Sequence, residues 1–168
     1  MSNPVVQFAT SANAAVVSPY SLGVIRGILQ ASSCPSCTIT STSRTPAQQA
    51  RAMYTNIVNL GVQEQLALYA PAGDAVINAC VAARKAGLPP VSVIAAMTAK
   101  VIEVGPSNVS LHCADPTRTN IVNIAPSSVV DPGAFLSAIK TATAEGKLSR
   151  YFSPGSHDPA FHIEIPQP

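Results

Sequence analysis

The residue pattern of this chain predicts an α+β fold, a single domain with helices packed on a small, mostly antiparallel sheet. Three observations predict it. Proline and hydroxyl residues recur just ahead of apolar residues at helical spacing through the first half. Short β-branched runs separated by turn residues dominate the second half. The order, helices first and strands later, is that of an α+β chain rather than a doubly wound one.

Residues up to about Val17 show no period and read as a lead-in arm, 1–17, ahead of a domain spanning 18–168. Ser18-Pro19 supplies an N-cap and a first-turn proline, and Leu22, Ile25, Ile28 and Leu29 mark the apolar face of a helix that ends near Ser32. Thr38 to Thr42 is rich in β-branched residues and reads as a strand. Thr45-Pro46 starts the next helix, with Ala50, Met53, Tyr54, Ile57 and Val58 on one side and Gly61 as its stop.

A third helix is predicted from about Asp74 to Ala86, with Cys80 on its apolar face as a core residue. A fourth carries Val93, Ile94, Met97 and Val101 and stops before Gly105-Pro106. Strands are predicted at about 108–112 and 120–124, then a helix from Asp131-Pro132 to Gly146, then strands at 148–152 and 160–165. Tyr20, Tyr54 and Tyr69 read as packing residues.

Composition removes several function classes. The chain has 168 residues, 47% of them hydrophobic, which suits one domain with a real core. Its net charge of +2 comes from 10 basic and 8 acidic residues without a basic run, so it lacks an electrostatic footprint for nucleic acid. No uncharged apolar stretch approaches the roughly 20 residues of a membrane span. The start, Met1-Ser2-Asn3-Pro4-Val5, has no basic segment followed by an apolar core, so the sequence predicts synthesis in the cytoplasm without a signal peptide. Of Cys34, Cys37, Cys80 and Cys113, only the first two form a motif, Cys34-Pro35-Ser36-Cys37. A lone CxxC ahead of a strand reads as a local disulfide or two thiols rather than a zinc knuckle.

The chemistry concentrates in two stretches, Ser110-Leu111-His112-Cys113-Ala114-Asp115 and Ser156-His157-Asp158-Pro159-Ala160-Phe161-His162-Ile163-Glu164-Ile165, which hold all three histidines. Alternation puts Phe161, Ile163 and Ile165 on one strand face and His162 and Glu164 on the other, with Glu164 placed to hold an imidazole. The same period in Asn108 to His112 sets Ser110 and His112 opposite Val109 and Leu111. Two such strands side by side would aim two imidazoles into one cleft, a donor set suited to Zn2+ once a carboxylate joins. The bland alternative is two surface histidines.

Thr40-Ser41-Thr42-Ser43-Arg44-Thr45-Pro46-Ala47-Gln48-Gln49 resembles the strand-to-helix signature of the zinc D-alanyl-D-alanine peptidases, which commonly read Ser-Gly-Tyr-Arg-Thr-Pro and then a glutamine. That family includes D,D-carboxypeptidases, D-alanyl-D-alanine dipeptidases and L-alanyl-D-glutamate endopeptidases. Arg44, Pro46 and Gln49 match, while Thr42-Ser43 replaces the Gly-Tyr pair. Ser110 and His112 are similar to the start of the second family motif, Ser-x-His-x-x-Gly-x-Ala-x-Asp, and Ile121-Val122-Asn123-Ile124 to its end. Here Asn123 stands where the family has its aspartate ligand, at a longer spacing. Asp158 to Ile163 is similar to the third motif, with the acid four residues before His162 rather than the usual three.

The resemblance implies zinc on His112, His162 and a carboxylate. Asp115 is preferred on chemistry, and Asn123 is the position that alignment implies. It further implies Asp158 or His157 as the base for a zinc-bound water, Arg44 as the group that binds a substrate carboxylate or the developing oxyanion, and Gln49 as a second substrate-binding residue. A cation beside a helix N-terminus sits against the helix dipole, which favours a functional Arg44 over an incidental one.

The implied activity is hydrolysis of a peptide bond in the stem or crosslink of peptidoglycan, by a lysis enzyme or secreted effector acting in the periplasm or cell wall after delivery by another system. The alternative is a metal-poor relative that binds cell-wall peptide or serves as a structural part of a phage or secretion machine, and Asn123 is the feature that favours it. A cysteine peptidase using Cys113 or Cys34 is a third reading. Adjacent strand residues face opposite ways, so Cys113 would point away from His112.

Overall fold

The strand pattern is realised as a five-stranded sheet in the computed structural model, which describes residues 3–155 and 159–168. The strands are β1 (Val5–Phe8), β2 (Ser36–Thr42), β3 (Thr119–Ile124), β4 (Arg150–Phe152) and β5 (Phe161–Pro166), in the order β1-β2-β3-β5-β4. Only the β1–β2 pair is parallel; the other three are antiparallel. Among the described residues there are also seven α-helices: α1 (Pro19–Ala31), α2 (Pro46–Leu60), α3 (Val62–Leu68), α4 (Pro71–Lys85), α5 (Pro90–Val104), α6 (Pro106–Val109) and α7 (Pro132–Ala144). The fold is thus the α+β one that the sequence predicts.

The chain divides into two compact units, one of Met1–Ser43 with Asp115–Pro168 and one of Arg44–Ala114. In the first, α1 and α7 cover one face of the sheet. Ile25, Ile28 and Leu29 of α1 and Phe135 and Ile139 of α7 pack with Ile39, Val122, Ile124, Phe161, Ile163 and Ile165. Phe135 meets Phe161 edge to face at 5.1 Å, an arrangement that the ring quadrupoles favour. Alternation along β5 therefore buries Phe161, Ile163 and Ile165 in this core, as expected.

A bulge between Ile39 and Ser41 breaks the period of β2. It turns Ser41 onto the sheet face of its partner Asn123 and brings Thr42, paired with Val122, to the core side, where its hydroxyl accepts from Asn13 N at 3.0 Å. Asn120 is buried under α1's entry. Its Oδ1 accepts from Ser18 N at 2.7 Å, and its Nδ2 donates to Val16 O and Pro116 O at 3.0 and 2.8 Å.

The second unit is helical, with its own core of Ala50, Met53 and Ile57 from α2, Val76, Ile77 and Cys80 from α4, and Val93, Met97 and Val101 from α5. Its first helix starts on a capping box. Thr45 Oγ1 accepts from Gln48 N, and Gln48 Oε1 accepts from Thr45 N. Cys80 is core, as predicted.

Three elements depart from the sequence reading, the first being α3 at Val62–Leu68, which no expected helix covers. The lead-in contributes β1 along Val5–Phe8, held on β2 by the register Val5 to Ser36 through Phe8 to Ile39. The strand expected at 108–112 is absent, because Gly105 at φ +90° and Pro106 set up the helical turn α6 and Ser110 then recaptures the backbone. Ser110 N donates to Pro106 O at 3.2 Å, and Ser110 Oγ accepts from His112 N at 3.2 Å. Val109 and Leu111, expected on one face, part company, the first buried and the second exposed.

No helix among the described residues is long and apolar enough to cross a membrane.

Candidate functional site

In the sheet unit, the face opposite α1 and α7 presents a row across four strands. Register aligns Ser41 with Asn123, Asn123 with His162, and His162 with Phe152. His162 is 1% exposed. Its Nδ1 lies 2.9 Å from Asn123 Oδ1 and its Nε2 3.3 Å from Glu164 Oε1, while the Phe152 ring stands 5.4 Å from the imidazole, tilted by 48°. Glu164 also faces Arg150 at 3.9 Å. Glu164 therefore does hold an imidazole nitrogen, as its place on β5 suggested.

Asp115 is occupied locally. Its Oδ1 accepts from Thr117 N at 2.9 Å and from Thr117 Oγ1 at 2.7 Å, and its carbonyl accepts from Arg118 N and Thr119 N. These bonds, from the Thr117 hydroxyl first and the Thr117 amide next, with Arg118 nearby, hold the exposed carboxyl below the usual carboxylate range. The loop closes on itself as an Asx turn and feeds β3. Of the two positions left open by the sequence, Asn123 is the one the structure sets beside His162.

Among the described residues, the amide that meets His162 suits an imidazole better than a zinc ion. A neutral amide is a weak ligand for a dication, whereas it satisfies His162 in either form. Oδ1 accepts from a protonated Nδ1, and the carboxamide turned over donates N–H to a bare Nδ1. Among the described residues, no three histidine, cysteine, aspartate or glutamate side chains are grouped to hold a metal ion. His157 and Asp158, expected as the base, lie outside the described residues.

The helical unit holds Arg44, Gln49, His112 and Cys113. Arg44 N donates to His112 O at 2.6 Å, which ties the entry of α2 to the turn after α6. Arg44 Nη1 donates to Gln49 Oε1 at 3.3 Å, and Gln49 Nε2 donates to Tyr69 Oη at 3.4 Å. Gln49 is buried on the first turns of α2. Arg44 and Gln49, each implied by the resemblance as a substrate-binding residue, meet through this bond.

Tyr69, read from the sequence as a packing residue, is the functional candidate that periodicity missed. The available signal was Gly73 four residues later, just ahead of the helix expected from about Asp74, where a residue without a Cβ leaves room for a side chain against the backbone. Burial raises the Tyr69 hydroxyl above its ordinary pKa, with Arg44 and the Gln49 bond pulling the other way. Cys113 is buried and its thiol is raised by that burial, with Arg44 opposing, which disfavours the thiolate that a nucleophile requires. Cys34 and Cys37 are free thiols buried in the sheet unit. Burial first, and Cys34 second, push Cys37 up to about 12.

No family model, curated protein or solved structure matches this chain.

Proposed function

We propose that this chain recognises peptidoglycan stem peptides without a resident zinc ion, as a cell-wall-binding or structural module of a phage or secretion machine. The observation that carries this reading is the 2.9 Å approach of Asn123 Oδ1 to His162 Nδ1. At the position where the resembled family keeps a carboxylate ligand, this chain has a neutral amide bonded to the imidazole.

The recognition half rests on the residues from Arg44 to Gln49. A planar guanidinium pairs with a carboxylate through two parallel N–H bonds, and stem peptides carry carboxylates at their ends and on their side chains. Gln49 accepts a hydrogen bond from that cation at the start of α2. Recognition of cell-wall peptide would put the site of action in the periplasm or cell wall.

Sedimentation of the full chain with purified peptidoglycan tests the reading. Binding is expected to survive a strong chelator and to weaken in Arg44→Ala, with no peptide fragments released. Binding that needs added zinc would contradict it.

A second reading, zinc-dependent hydrolysis of a stem or crosslink bond, is favoured by the sequence His157-Asp158 shortly before His162, which brings a base and a carboxylate close in the chain to that imidazole. Fragments detected by mass, abolished by chelator and restored by zinc, would establish it.

A further inference from the structure

We propose that α3 is a hinged flap on the helical unit, docked at a cost set by Gln65, and that its release lets a ligand reach Gln49. The ligand at Gln49 rests on the stem-peptide reading; the flap rests on the geometry of the helical unit alone.

The inner face of α3 and its C-cap reads Val62, Gln65, Leu66 and Tyr69, at helical spacing. Val62, Leu66 and Tyr69 pack half-buried on the helical core. Gln65 is the one fully buried residue of α3, at 1% exposed, and among the described residues neither its Oε1 nor its Nε2 has a hydrogen-bond partner. A buried, unpaired carboxamide opposes docking, because water satisfies it as soon as the helix lifts away. Asp74 Oδ1, in the first turn of α4, is buried without a partner as well. The corner between α3 and α4 therefore carries three unpaired polar atoms.

The helix has few means of its own to resist that cost. It spans seven residues and has no side-chain cap, and a helix so short depends on its packing. Gly61 ends α2 and begins α3 at φ +98° and ψ 161°, a conformation that glycine alone adopts without strain. That residue is the hinge.

Tyr69 is the latch at the other end. Its side chain seats against Gly73, where an added Cβ would come 2.4 Å from Tyr69 Cδ1 and 2.6 Å from Tyr69 Cβ. Its Oη accepts from Gln49 Nε2 at 3.4 Å. Gln49 is itself 1% exposed, so a ligand that bonds its carboxamide has to displace part of its cover, and Tyr69 is the contact on its nitrogen. Release of α3 with Tyr69 uncovers Gln49 and hydrates Gln65 in one movement. A polar residue kept in a helix seam against stability is what an element that opens requires.

Hydrogen exchange of the full chain, read by mass spectrometry on peptides from α2, α3 and α4, tests the flap without ligand. Amides of α3 are expected to exchange at least about 100-fold faster than those in the middle of α2 and α4. Gln65→Leu is expected to slow α3 by about tenfold or more and to raise the thermal midpoint, because the unpaired carboxamide is gone. Gln65→Met, unbranched like glutamine, repeats the test if the leucine packs poorly. Wild-type α3 as protected as α2 and α4, or exchange of α3 that neither variant slows, would overturn the flap. The association rate with the dipeptide D-alanyl-D-alanine then reads the link to the ligand, and a variant with slowed α3 exchange is expected to bind more slowly by a similar factor. An unchanged rate in that variant would overturn the gate. If wild type does not bind the dipeptide while α3 still opens, the flap stands and the stem-peptide reading falls.

Discussion

Asn123 Oδ1 and His162 Nδ1 meet at 2.9 Å across the β3–β5 pair, so the residue opposite the buried imidazole is an amide and not an acid. Converting it tests what the position is for. Asn123→Asp places a charged oxygen against the ring and is expected to tighten zinc binding by at least about tenfold, because a dication gains far more from a carboxylate than from an amide. Asp115→Asn is expected to leave zinc affinity unchanged, since that carboxylate is engaged by Thr117. Competition against a chromophoric chelator measures both.

Asn120 joins the start of α1 to β3 through three part-buried bonds, to Ser18, Val16 and Pro116. Asn120→Ala removes all three and leaves a half-buried N–H and two carbonyls without this partner. A loss of about 2–4 kcal/mol is expected, read as a lower urea midpoint with an unchanged slope.

Phe135 is fully buried and packs edge to face on Phe161, where α7 meets the sheet. Phe135→Ala is expected to destabilise by about 3–5 kcal/mol, the transfer and cavity cost of removing a core ring. Leu at the same position should recover part of it. Chemical denaturation followed by far-UV circular dichroism resolves the series.

Cys37 gives a pH prediction with a defined sign. Burial and the neighbouring Cys34 raise its thiol from 9.0 to about 12 in the folded chain. The unfolded thiol ionises first, so its contribution to stability is fully present below about pH 9 and is lost as pH climbs towards 12. Cys37→Ser, or Cys37→Ala if the serine is poorly tolerated, should flatten the fall in denaturant midpoint over that range. Native-state alkylation of Cys37 should be slow at pH 8, because the thiolate is scarce and the side chain is 1% exposed.

The strongest local signals translated directly into structure. Ser18-Pro19, Thr45-Pro46 and Asp131-Pro132 each became an N-cap and first turn, because a side-chain acceptor and a preset φ specify that geometry without tertiary help. Phe161, Ile163 and Ile165 faced the core for a similar reason, since strand alternation is a local property. The short helix α3 and the edge strand β1 were illegible. Gly61 gives α3 no side-chain cap, and β1 exists through pairing with β2, thirty or so residues away. At 108–112 the alternation of Val109 and Leu111 lost to Gly105, Pro106 and the Ser110 hydroxyl, all acting on the backbone within one turn. Of the site, the contact of His162 with Glu164 was foreseeable from alternation, whereas Arg44 and Gln49 entered separately, through the resemblance. The meeting of Asn123 with His162 depended on register between strands, and the role of Tyr69 on a glycine in the next helix.

The most direct test of the metal-free reading is elemental analysis of the full chain, purified without chelator from zinc-supplemented medium, alongside Asn123→Asp prepared identically. Wild type is expected to carry far less than one zinc per chain and the variant to carry more. A wild-type content near one zinc per chain would contradict the reading outright and restore the hydrolase in its place.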